Sequence, residues 1–116
     1  MMKRKALRFG KGFRLALRNS HAQAAEMVLS PGENEGGPRN FHQGSDQWLF
    51  VVEGKGVATI NQKNYPLRAG VLLLIERGER HEIRAAGQKP LRTLNFYTPP
   101  AYGDDETPLP AGRPSE

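Results

Sequence analysis

The chain has 116 residues, with 17 Lys and Arg against 12 Asp and Glu, a net charge of +5 and no cysteine. That length suits one domain and leaves no room for two. The lack of cysteine excludes disulfides, thiolate metal sites and Cys nucleophiles, and it is compatible with a reducing cytoplasm, the expected location. The longest apolar run, around Val71 to Ile75, is far too short to span a membrane. The basic N-terminus has no apolar stretch behind it and is not expected to be a secretory signal.

The positive charge is concentrated at the start. Lys3, Arg4, Lys5, Arg8, Lys11, Arg14 and Arg18 fall in the first twenty residues with no acid among them. Such an arm can attract nucleic acid or anionic lipid without specificity. Its charges beyond Lys5 are spaced out, which fits a solvated strand edge better. No helix-turn-helix or zinc-finger pattern is present, so nucleic acid is not the expected partner.

Along the chain the dominant period is two, the signature of strands with one buried face. Leu7 and Phe9 flank Arg8, and Phe13, Leu15 and Leu17 alternate with Arg14 and Arg18. Ala22 to Leu29 reads either as a helix with Ser20 as its N-cap or as a strand with Ala25, Met27 and Leu29 on one face. The β-rich surroundings favour the strand. Further strands are expected at Gln47 to Glu53, Gly56 to Asn61, Val71 to Ile75, Arg80 to Arg84 and Leu91 to Tyr97. Turn residues separate them, among them Pro31-Gly32, Gly36-Gly37-Pro38, Asn61 to Asn64, Gly70, Gly78 and Gly87. Many short strands at close spacing imply an all-β barrel or sandwich. From Thr98 the chain is rich in proline and carries Asp104, Asp105 and Glu106, so the barrel is expected to end near Tyr97.

Three histidines exist, His21, His42 and His81. If the chain is extended at both places, Asn40 and His42 point together, and His81 shares a face with Ile83. An imidazole aimed into an apolar interior needs a partner, and a divalent metal serves well.

The run from Gly36 to Gly56 and the run from Gly70 to Arg84 resemble the paired motifs of the cupin superfamily. The first offers Gly37, Asn40, His42, Gln47 and an apolar strand leading to Gly54 and Gly56. The second offers Gly70, Glu76, Gly78 and His81. The resemblance covers Ala22 to Pro100 and implies a double-stranded β-helix with extended N- and C-terminal arms. In domain terms this gives a basic arm and packing strands over 1–21, the barrel over 22–100 and a flexible tail over 101–116. It also implies a homodimer. A divalent metal (iron, manganese, nickel, zinc or copper) would be held at Asn40, His42, Gln47 and His81.

Two of those four positions depart from the family pattern, Asn40 replacing a histidine and Gln47 a glutamate. An amide oxygen brings no charge, so a divalent cation there lacks compensation in a low-dielectric pocket. Asp46 would supply a carboxylate only if the strand were shifted by one residue. The family spacing favours Gln47 inward, which leaves Trp48, Phe50 and Val52 facing out and needing cover from N-terminal strands or a second subunit. Two readings of function follow. One is a metal-dependent small-molecule oxidoreductase of dioxygenase type, or an isomerase. The other is a non-catalytic cupin that binds or senses a small ligand with a weakened or absent metal site.

Overall fold

The computed structural model describes residues 1–36 and 44–103. Nine strands make up two antiparallel sheets: β1 (Gly12–Arg18), β2 (Gln23–Leu29), β3 (Asn34–Gly36), β4 (Asp46–Glu53), β5 (Lys55–Ile60), β6 (Lys63–Arg68), β7 (Leu72–Ile75), β8 (His81–Ala86) and β9 (Leu91–Thr98). The five-stranded sheet runs β1-β2-β9-β4-β7 and the four-stranded sheet β3-β8-β5-β6. They form a cupin-like pair, and neither closes on itself among the described residues. No helix there is long and apolar enough to cross a membrane.

The period-two pattern works as expected at the core. Met27, Leu29, Leu49, Val51, Ile75 and Leu91 from the larger sheet meet Ala58, Leu67, Ile83 and Ala85 from the smaller one. Each fully buried Leu, Ile or Val in such a layer contributes about 1.5–3 kcal/mol. Ala22 to Leu29 resolves as a strand, because β2 lies between β1 and β9 and needs a ladder on both edges.

Other expectations change. No strand forms at Leu7 to Phe9, where Phe9 adopts a left-handed φ of 50°. Instead, the Phe9 amide donates to the buried carboxylate of Glu26 on the outer face of β2, and the N-terminal segment covers that part of the sheet. Two strands were not anticipated. β3 is only three residues long, and β6 contains Pro66, a residue tolerated because β6 is an edge.

At the far end of β4 the chain turns through Gly54, whose φ is 96°. A Cβ there would sit 2.3 Å from the Pro90 carbonyl oxygen. The β4–β5 and β8–β9 turns are therefore in backbone contact, an approach open only to glycine.

Candidate functional site

The register of β4 decides which side chains face the interior. Gln47 pairs with Tyr97 of β9 and Ile75 of β7, and Gln47, Leu49 and Val51 are buried while Trp48, Phe50 and Val52 are exposed. Asp46 points the other way. Its carboxylate accepts from the Arg77 backbone N–H at 2.9 Å and from Arg77 Nε at 3.3 Å. Those bonds hold the Asp46 pKa below its ordinary value. The carboxylate is committed to the β7–β8 turn and is not directed into the interior.

A polar stripe crosses the inner face of the larger sheet. Gln47 Nε2 donates to Asn95 Oδ1 at 2.9 Å, Asn95 Nδ2 donates to Thr93 Oγ1 at 3.0 Å, and the Thr93 hydroxyl donates to the Met27 carbonyl at 2.8 Å. The chain of donors has one direction. The Met27 carbonyl can only accept, so the Thr93 hydroxyl must receive the Asn95 amide, and Asn95 must present its oxygen to Gln47. Gln47 Oε1 is then the end left over. It is buried and has no hydrogen-bond partner among the described residues. Leaving a buried carbonyl unsatisfied costs about 1–3 kcal/mol.

Gln47 lines a small interior cavity of about 20 Å³ together with Phe13, Met27, Glu35, His81, Ile83, Tyr97 and Tyr102. Its volume is that of one water-sized group. His81 opens β8 and is buried. Burial lowers its pKa, partly opposed by its contact with Glu79, so the neutral ring is favoured. His81 Nδ1 lies 3.2 Å from the Glu79 carbonyl oxygen. A carbonyl only accepts, so Nδ1 carries the proton and Nε2 is an acceptor.

Tyr102 comes from beyond β9 and is placed by Gln23. Gln23 Oε1 accepts from the Ala101 and Tyr102 backbone N–H groups at 3.2 and 3.0 Å, and Gln23 Nε2 donates to the Tyr102 carbonyl at 2.9 Å. The Tyr102 ring packs on Phe13 and stands edge-on to Tyr97, with centroids 5.0 and 5.2 Å apart. Burial raises both tyrosine pKa values, that of Tyr102 to about 12, and the Glu35 carboxylate pushes both the same way. Glu35, exposed on the edge strand β3, shares a cross-strand position with the buried Ile83 and lines the cavity from its rim.

The structure thus brings together Gln47 and His81, two of the four residues expected to hold a metal. Asn40 and His42 lie outside the described residues, as does Gly37. Among the described residues there is no group of three His, Cys, Asp or Glu side chains placed to hold a metal ion. Of the described residues on the cavity, Gln47 and His81 bring no negative charge and Glu35 brings the one carboxylate, too few donors to hold a divalent cation by themselves. Sequence reasoning missed Glu35, Asn95, Tyr97 and Tyr102. The alternation of β9 puts Asn95 and Tyr97 on the buried face with Leu91 and Thr93, a signal that could have found them.

Comparison with known proteins agrees with this architecture. The Cupin domain family model matches residues 25–97. The chain is 32% identical over 93 residues to the tetracenomycin polyketide synthase protein TcmJ of Streptomyces glaucescens, covering 74% of this chain and 61% of that protein. It is 32% identical over 79 residues to an oxalate-binding protein of Thermotoga maritima, covering 68% and 64%. The chain therefore spans about three-fifths of the length of these curated relatives. A solved structure from Bacillus halodurans superposes with a TM-score of 0.75 at 24% identity, over 85% of this chain and 76% of that one. The motifs, the paired antiparallel sheets and the family match lead to one assignment: the chain belongs to the Cupin domain family.

Proposed function

We propose that this chain is a small-ligand-binding cupin whose interior accepts the hydrogen-bond-donating end of a neutral or cationic ligand, such as a hydroxyl or an ammonium group. The observation that carries this reading is the fixed direction of the Gln47 amide, which offers Oε1 to the cavity. His81 and the exposed Glu35 carboxylate line the same cavity. No Lys or Arg is among the described residues lining the cavity. The relative named for oxalate binding suggests a dicarboxylate ligand, but a dicarboxylate would meet Glu35 with no opposing cation among the described residues. Thermal melting with a panel of small alcohols, phenols, amines and oxalate, with and without chelator, tests the reading. Donor ligands should raise the Tm whether or not chelator is present, and Gln47→Leu should lose the response. A response to oxalate alone, or one that chelator abolishes, would reject it.

A second reading rests on the same two acceptors, since Gln47 Oε1 and a neutral His81 Nε2 are also metal-donor atoms. It requires His42 and Asn40 to complete the set. Bound, a metal would supply Lewis acidity for dioxygenase-like or isomerase chemistry. Elemental analysis of protein prepared with excess metal, alongside His42→Ala and His81→Ala, separates this reading from the first.

We also infer a homodimer through the outer face of the larger sheet. Trp48 lies between Leu74 and Phe96 in the register, and Phe50 lies between Leu72 and Leu94. Trp48, Phe50, Val52, Leu72, Leu74 and Phe96 are each 38–58% exposed. Large apolar side chains grouped side by side on one exposed face are the kind of patch that marks a protein–protein interface. A second copy supplies an equally apolar surface.

A further inference from the structure

We propose a second binding site, for a small multiply charged oxyanion, at the end of the fold opposite the Gln47–His81 cavity. The two ends are separated by the length of β4, roughly 20 Å. The site is a cavity of about 680 Å³ whose lining includes Glu53, Lys55, Arg68, Ala69, Ala86 and Lys89. That volume falls within the range of small-molecule pockets.

Its charge is one-sided. Lys55 pairs directly with Arg68 across the β5–β6 ladder, an arrangement in which like charges repel. Lys55 is also the register partner of Ala86, and Lys89 follows in the turn leaving β8. The side chains of Lys55, Arg68 and Lys89 take part in no hydrogen bond or ion pair among the described residues. The one carboxylate in the lining, on Glu53, is bound to Arg92 at 2.6 Å and does not neutralise them. Three cations therefore converge on one concavity with their charge uncompensated.

At its floor Gly54 brings the β4–β5 turn into backbone contact with Pro90. Ala69, Ala86 and the aliphatic stems of the lysines supply an apolar wall for an organic body. A mono-anion would satisfy one cation, whereas a phosphate or polycarboxylate with two or more charges satisfies the set. Phosphates and polycarboxylates share this chemistry, so the test uses one of each.

Full-length protein at low ionic strength is titrated with inorganic pyrophosphate, with citrate and with acetate, followed by calorimetry and by amide NMR shifts. At least one polyanion should bind saturably and shift the amides of residues 54–56, 68–70 and 86–89, with acetate much weaker. Pyrophosphate binding without citrate identifies a phosphate site, and the reverse a carboxylate site. The variant Lys55→Gln/Arg68→Gln/Lys89→Gln should lose at least tenfold in affinity and keep its melting behaviour without ligand. The variant Lys3→Gln/Arg4→Gln/Lys5→Gln should bind as the parent does. No saturable binding of either polyanion overturns the proposal, as does binding removed by the N-terminal variant and retained by the triple cavity variant.

Discussion

Gln47 and Asn95 face each other from adjacent strands, and the 2.9 Å bond from the Gln47 amide nitrogen to the Asn95 amide oxygen decides what the interior offers a ligand. Gln47→Leu removes the acceptor and strands Asn95 Oδ1. The two changes oppose each other, each worth about 1–3 kcal/mol, so the midpoint of urea unfolding should move little. Gln47→Glu keeps the size and adds a negative charge beside His81. Divalent metal affinity, followed by calorimetry with nickel or manganese, should rise at least about tenfold, equivalent to ~1.4 kcal/mol. Unchanged affinity would place the metal donors elsewhere.

His81 gives the fold a pH dependence of definite sign. Its folded pKa lies below the ordinary histidine value of 6.5 because burial disfavours the cation. The stability linked to its neutral form is complete above that value and is lost as the pH falls below it, since the unfolded chain then binds a proton that the folded chain resists. Melting temperature should drop between pH 7 and pH 5, and His81→Phe should flatten this part of the curve. A Tm that rises on acidification would contradict the assignment.

Phe50→Arg and Trp48→Glu each place a charge in the centre of the apolar face. Sedimentation equilibrium should show the parent as a dimer and the variants as monomers with unaltered far-ultraviolet circular dichroism. A monomeric parent at tens of micromolar would exclude the dimer.

Gly54→Ala forces a methyl group to within 2.3 Å of the Pro90 carbonyl at a φ of 96°. Backbone strain and overpacking together should destabilise the fold by about 2–4 kcal/mol, measured by denaturant unfolding. Gly32→Ala, also at positive φ but with nothing within 4 Å, should cost less. The difference between the two isolates the contact.

Much of this was legible in the sequence because alternation carries it. Both faces of β4 are apolar, so alternation does not choose between them; the resemblance to the cupin motif puts Leu49 and Val51 in and Trp48 and Phe50 out, and the structure agrees. The placement of Gln47 rather than Asp46 inside came from the same register. Leu7 to Phe9 shows the limit: three residues of alternation are not a strand when their backbone finds a side-chain partner, here Glu26. Glu35 was invisible because a three-residue strand carries too little pattern to show. Tyr102 was hidden by its setting in a proline-rich segment, which hydrogen bonds with Gln23 and Arg18 and ring contacts with Phe13 and Tyr97 bring back to the interior.

Pro66 has a consequence for growth of the sheet. It sits in β6, the outermost strand of the four-stranded sheet, with Lys63 and Arg68 at the strand's two ends. A foreign strand approaching that side meets a residue with no amide proton to share and a positive charge at either end. Amyloid-like stacking along this margin is thereby discouraged.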